Sequence, residues 1–516
     1  MNFEDFLQEI VAFINEATGE KRNDVLQQSA EKIITYYVRE KKEGLYDRME
    51  EALGNDLELY YLVLSTIHFI AKDAACVAEM ENLLLSPDLD LFVACDVWFQ
   101  LANVRFRDAS LPRSYVRSRQ INRFLLERYE KEYPLKVPFL PYKERNKKRI
   151  IIETDILLND LHAPTRIILD ACQTLIRDLG YEVLLLVNVE STDLDWMNRF
   201  YLFPYVTNYR KEIMGRFSIS YEDINVQGYQ LYWKKETIPE LHQLLQELYE
   251  WKPLCIWHIG AASFCHDIYR KMTTVISMPC TEGYIVSEAP VLVSYMQSGS
   301  LEVKEAISYI EQNNQKMLNI KPATKHIEVQ KEYKKSDFGM PEDAFVICIA
   351  GNRLDDEISA EFEEMIEGAA AQSDRIYMVV IGNCNKRFFR NIEKERVKYL
   401  GFRKDLVDVI NVTDLLVNPP RKGGGGSAIR AFSLGIPVVT LPYCDVASVT
   451  GEEFQCEDLP AMQELIHRYE ADDVFYKGQQ EKAKEKYEQR LSVSSMENYK
   501  NMLQQLEEWL EKGEVS

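Results

Sequence analysis

Four consecutive glycines, Gly423, Gly424, Gly425 and Gly426, stand between an apolar run ending Asn-Pro-Pro and a helical pattern that opens at Ser427. Lys422 precedes the glycines and Arg430 follows them. A glycine-rich turn lets backbone N–H groups approach a ligand closely, and a helix start adds the positive end of its dipole and here a hydroxyl. That combination suits a diphosphate. The plainer alternative is a flexible surface loop, but this turn joins an apolar strand to a helix, as a phosphate site requires. The chain contains neither GxGxxG nor GxxxxGK[ST], which speaks against a dinucleotide dehydrogenase and against a P-loop NTPase.

Other residues stand where strands hand over to helices. Gly351 and Arg353 follow the apolar run FVICIA, and Gly382 closes RIYMVVI. Phe402 and Arg403 lie in GFRKD, and Asp445, Ser448 and Glu452 lie in YCDVASVTGEEF after the run IPVVTLP. Earlier in the chain, His258 ends LCIWHIGA, while His162, Thr165 and Arg166 occupy the loop and helix start after RIIIETD. Each has a structural alternative. Arg353 could pair with Asp355 or Asp356 on the surface, and Arg430 could point to solvent. His258 could be a core histidine satisfied by a carbonyl, and Thr165 an ordinary capping residue. His266 reads as structural. No His, Cys and carboxylate cluster has metal spacing, and Asp355–Asp356 reads as helix N-terminal charge, so metal-independent chemistry is expected.

The elements that must hold these residues fall into blocks. Residues 1–131 show apolar residues at three- and four-residue spacings and read as an all-α domain without a fixed repeat. Residues 132–148, with Pro134, Pro138 and Pro141, read as a linker. Residues 149–335 alternate short apolar runs with helical patterns, which predicts a parallel α/β domain. Residues 336–490 repeat that pattern, and 491–516 form a closing amphipathic helix. Two doubly wound, Rossmann-like domains place a ligand between them, at the C-terminal ends of their strands.

The chain has 516 residues, 46% of them hydrophobic, and a formal charge of -21. It is long enough for several cores. Its acidity argues against nucleic-acid binding and against broad contact with anionic lipid, while allowing a local basic pocket. The ten cysteines form no CxxC pair, and Cys76, Cys172 and Cys348 sit in apolar runs, as reduced core residues do. With no basic leader pattern at the N-terminus, and Tyr60 to Ala71 too short to span a bilayer, a soluble cytoplasmic protein is expected.

In their order, GNRLDDEI after a strand, YLGFRKDLVDVINVTDLLVNPP and GGGGSAIRAFSLGIPVV resemble the donor domain of GT-B-fold glycosyltransferases of the group 1 retaining type. APTRIILDACQTLIRDLGYEVLLL is similar to that family's first βαβ unit, so the resemblance covers about two thirds of the chain and leaves the N-terminal helices outside. It implies that Arg353 contacts the donor diphosphate, that GFRKD holds the base through its backbone, and that the Asp445, Ser448 and Glu452 loop faces the donor sugar. It also implies that His258 contacts the sugar or the reacting centre, and that His162, Thr165 and Arg166 meet the acceptor or the phosphates. Gly351 and Gly382 join the donor side. The family keeps a lysine five residues after the arginine; here Ile358 stands there, leaving Lys386 or Lys422 to supply a second cation. The family's two glutamates, eight positions apart around the glycine turn, fall on Lys422 and Arg430. A guanidinium only donates, so ribose recognition by an accepting carboxylate is not available at Arg430.

The expectation is a transferase moving a sugar from a nucleotide-diphosphate donor, UDP-linked, to a protein or glycan acceptor. His258, Arg353 and Lys422 would be its catalytic residues, with no cofactor and no metal. The helical domain would recognise the acceptor or a partner protein. Two alternatives stand beside it: a non-catalytic GT-B-like scaffold or chaperone of an active enzyme, supported by the basic residues at both glutamate positions, and a nucleotide-sugar epimerase.

Overall fold

A computed structural model describes the chain except residues 18–22, 109–110, 112, 160–161, 191–209, 261–262, 295–299, 322–326, 385–387, 444, 492–494 and 516. Helices come first: Phe3–Ala17, Asn23–Glu40, Leu45–Leu53, Leu57–Ala71, Ala74–Leu83, Leu91–Arg107 and Tyr115–Glu132. Their starts are written in the sequence as caps. Asp56, Asp73, Asp90 and Ser114 each accept a hydrogen bond from a backbone N–H in the first turn that follows. The Leu57–Ala71 helix is apolar around most of its circumference and lies buried among the others.

The first sheet contains β1 (Asn146–Thr154), β2 (Glu182–Val189), β3 (Gly215–Tyr221), β4 (Ile224–Tyr232), β5 (Pro253–Gly260), β6 (Val275–Pro279), β7 (Val291–Ser294) and β8 (Lys316–Asn319). Their order is β3-β4-β2-β1-β5-β6-β7-β8, parallel except for the β3–β4 pair. Every residue of β5 is buried, as a strand covered on both faces requires. One face carries the Ala163–Gln173 helix and the C-terminal Ser495–Lys512 helix, whose Tyr499 meets Trp257 edge-on at 4.9 Å. The other face carries the helical domain. Leu125 and Tyr129 share one core with Ile151, Leu186 and Ile256, and Tyr129 lies 5.1 Å from the Trp233 ring.

The second sheet contains β9 (Phe345–Ala350), β10 (Ile376–Ile381), β11 (Val397–Gly401), β12 (Leu415–Val417) and β13 (Val438–Val439), ordered β11-β10-β9-β12-β13 and parallel. Helices Ala360–Ala371 and Leu459–Ala471 cover one face, Gly425–Ser433 and Asp445–Thr450 the other. The order in which strands are added reverses beside β1 in the first sheet and beside β9 in the second, while the strands there stay parallel. Crevices open at such switch points, at the C-terminal strand ends.

Candidate functional site

The second domain's crevice is built on glycine. Gly351 donates its N–H to the Ile381 carbonyl at 2.9 Å, and Gly382 donates to the Gly401 carbonyl at 2.8 Å. Gly382 has φ 113°, and a Cβ there would sit 1.8 Å from the Gly351 oxygen, so only glycine fits. From β12 the chain passes Asn418 and turns through Gly423 and Gly424, at φ 100° and 99°. The helix begins at Gly425, two residues before the expected Ser427, because Gly424 at positive φ serves as its N-cap. The first intrahelical bond, from Ser427 N–H to the Gly424 carbonyl, leaves the Gly425 and Gly426 N–H groups ahead of it.

Two guanidinium groups flank this turn. Arg353 donates from Nε and Nη2 to Glu357 Oε1 at 3.1 and 2.9 Å. Its acidic partner is therefore Glu357, one helical turn on, and not Asp355 or Asp356. The guanidinium also lies over the Phe106 ring of the helical domain, 4.8 Å from its centre. The second group is Arg421, which the sequence reading passed over. It is buried and donates to Asn418 Oδ1 at 2.9 Å, Glu357 Oε2 at 2.7 Å and the Ala350 carbonyl at 2.7 Å. Burial pushes the Glu357 carboxyl up, but Arg421 and Arg353 outweigh it and hold the group below its ordinary value. Ile358 is buried in the core, so Arg421 is what brings a second cation to this place. Lys386 lies outside the described residues.

Lys422 reaches across to the first domain, where its Nζ lies 3.2 Å from Glu302 Oε2. Arg113 of the helical domain shares that oxygen at 3.4 Å. Arg430 does not point freely to solvent: it folds back on its own helix and donates to the Gly426 carbonyl at 2.7 Å. Burial lowers its pKa, and Arg166 on the facing domain adds to the effect. Among the described residues, neither Arg166 nor Arg430 forms an ion pair with a carboxylate.

The first domain contributes the opposite wall. Thr165 is buried and accepts the Leu158 N–H at 2.9 Å, which holds the loop after β1, and its hydroxyl lies 3.2 Å from His162 Nδ1. Burial drives the His162 pKa down to about 4, with Arg353 and Arg166 contributing. Cations from both domains thus act on one crevice. Asp445, at the start of the Asp445–Thr450 helix, ties the walls together by accepting the Glu282 N–H at 2.9 Å. Its burial pushes its carboxyl up to about 6, against the pull of Arg421 and Arg353. Ser448 lies one turn further along the same helix, half-buried.

Four of the expected residues lie apart from this cluster. Glu452 is exposed beyond the far end of the Asp445–Thr450 helix. Phe402 is 44% exposed. Arg403 is turned to Asp405, at 2.6 Å, and to the Tyr333 hydroxyl, at 3.1 Å. His258 is fully buried on β5, beside Glu153 of β1 where the strand order of the first sheet switches. Its Nδ1 lies 2.5 Å from Glu153 Oε2, and its ring stacks on His266 at 4.0 Å and 10°. Glu153, His258 and His266 have ligand atoms within 4.8 Å of one another. Nitrogen lone pairs lie in the ring plane, and an ion ~2.1 Å from one nitrogen would fall outside the plane of the other, stacked ring. As placed, the trio does not form a metal centre.

Residues 346–472 match the model of the family Glycosyl transferases group 1. No curated protein matches the chain. Among solved structures, a mutant of Thermobaculum terrenum O-GlcNAc transferase is similar over 100% of this chain and 99% of its own, at 12% identity and a TM-score of 0.54. Anabaena HepE in complex with UDP is similar over 71% of this chain and 100% of its own, at 12% identity and a TM-score of 0.46. A Rickettsia africae glycosyltransferase is similar over 71% and 99%, at 9% identity and a TM-score of 0.44. The first likeness establishes a GT-B fold that extends through the helical region; the other two superpose too loosely to add to it.

Proposed function

We propose that this GT-B chain, whose second domain is of the group 1 glycosyltransferase type, transfers a sugar from a UDP-linked donor to a hydroxyl or amide on a protein or glycan acceptor. The observation that carries this reading is the glycine turn with Arg353 beside Gly423, Arg421 beside Gly424 and Arg430 beside Gly426, and with Arg166 of the facing domain acting on Arg430, while Glu357 is the one carboxylate paired there with any of the four arginines among the described residues. Gathered like charges are costly, and a bound diphosphate would relieve them. As the bond to the sugar breaks, negative charge grows on the departing nucleotide. Fixed N–H donors and guanidinium groups stabilise that charge more than they stabilise the bound donor. Protein cations would do this without a metal ion. Arg430 supports phosphate contact and not ribose contact, because it has no lone pair to accept a hydroxyl.

Among the described residues no helix is long and apolar enough to cross a membrane. Thermal shift with UDP, UDP-glucose, UDP-GlcNAc and GDP-mannose, paired with a donor-hydrolysis assay, tests the reading. Stabilisation by the UDP compounds with slow hydrolysis of one of them is expected; no stabilisation by any of the four would overturn it. A non-catalytic scaffold is the second reading, favoured by the engagement of Lys422 with Glu302 and of Arg430 with its own helix. It requires that a bound donor is never hydrolysed or transferred.

A further inference from the structure

We propose that the helical domain is a working part of the donor site, with Phe106 positioning Arg353 and with Glu302 restraining Lys422. The inference rests on the donor reading above and goes beyond it. Phe106 lies near the end of the Leu91–Arg107 helix, and the Arg353 guanidinium sits 4.8 Å over its ring. A carboxylate that orients an arginine also cancels its charge. An aromatic face orients it while leaving its N–H groups and charge for a ligand. Glu357 already spends its charge on two guanidiniums, so the ring is the restraint on Arg353 that costs it nothing electrostatically. The contact also reduces the rotamer freedom that an arginine loses when it grips phosphate.

Lys422 receives the opposite treatment. Glu302 Oε2 lies 3.2 Å from its Nζ and 3.4 Å from Arg113 Nη1, so the first domain meets the residue that precedes the glycine turn and the helical domain meets the carboxylate that holds it. The helical domain is pinned there: Ser114 Oγ and the Tyr115 N–H donate to Glu305, one turn from Glu302, at 3.0 and 2.7 Å. Lys422 can serve a diphosphate only by leaving Glu302. Whatever seats on the helical domain and draws Arg113 away or presses it closer therefore changes how firmly Lys422 is held.

Calorimetric titration of the full chain with UDP, and separately with inorganic pyrophosphate, tests this. Phe106→Ala should weaken UDP roughly 3- to 10-fold, the scale of a half-exposed cation–π contact, and Phe106→Trp should restore it. Glu302→Gln should tighten both ligands several-fold by freeing Lys422. Melting temperatures of all variants report whether the fold is kept. Unchanged UDP affinity in Phe106→Ala, a tryptophan variant no better than the alanine one, or weaker binding in Glu302→Gln would each overturn the inference while leaving the donor reading in place. Failure of the parent chain to bind either ligand would overturn the donor reading, and this inference with it.

Discussion

Arg353 and Arg421 grip the same carboxylate and should fail differently when removed. Arg421 is buried with three acceptors, so Arg421→Ala leaves buried polar groups unpaired. A loss of about 3 kcal/mol is expected, read as a lower denaturation midpoint. Arg353 is 40% exposed on its side chain, so Arg353→Ala should cost under about 1 kcal/mol of stability. Its loss should appear in nucleotide affinity. Arg430→Glu should weaken UDP binding at least tenfold; a gain in affinity would mean that Arg430 opposes the donor. Asp445 gives the pH dependence. Its folded pKa of about 6 lies above the ordinary 3.8, so its neutral form is favoured on folding. The stability this gives is full below 3.8 and is lost as pH rises through about 6. Above that pH its charge also offsets Arg421 and Arg353. Affinity for UDP-glucose, whose diphosphate does not titrate in this range, should fall as pH rises through about 6, and Asp445→Asn should remove the step. The sequence showed that Lys422 and Arg430 bracket the glycine turn. It could not show which of Arg421 and Lys422 turns inward, because neighbouring residues on an irregular turn have no period to assign their faces.

At the scale of elements, the glycine turn is the device that sets the crevice. Gly424→Ala forces a Cβ at φ 99° to within 2.8 Å of Arg421 Nη2 and 2.9 Å of Asn418 Oδ1. Gly423→Ala meets its nearest atom, Arg353 Nη2, only at 3.7 Å and bears the φ strain alone. Weaker UDP binding is expected in both, with the larger loss of melting temperature in Gly424→Ala; equal melting temperatures would show that the Arg421 contact is not tight. Most elements were legible. Buried strands such as FVICIA read as unbroken apolar runs because both faces are covered. The antiparallel strand β3 did not, because its burial alternates and its residues include Ser218 and Ser220. The helix start was displaced because side-chain caps are readable, whereas a glycine cap at positive φ leaves no mark within a run of glycines.

At the scale of the molecule, the helical domain is not an appendage. Its core runs into the face of the first sheet through Tyr129, Trp233 and Phe264. Removal of residues 1–131 should expose that face and yield aggregated protein, measured as the soluble fraction on expression; a soluble truncated chain with an unchanged melting temperature would show separable domains. Block order and fold class could be read from periodicity, since each depends on local pattern. The shared core, the return of the Ser495–Lys512 helix to the first sheet and the meeting of Phe106 with Arg353 depend on contacts between residues far apart in sequence. No local pattern encodes those. The central claim is that the two-domain crevice binds a nucleoside diphosphate through Arg353. Calorimetric titration of UDP into the parent chain and into Arg353→Ala tests it most directly. The account predicts saturable binding by the parent and roughly 10- to 100-fold weaker binding by a variant that melts like it, the scale of lost charge-assisted hydrogen bonds. Equal affinity in the two proteins, or no binding by the parent, would contradict it.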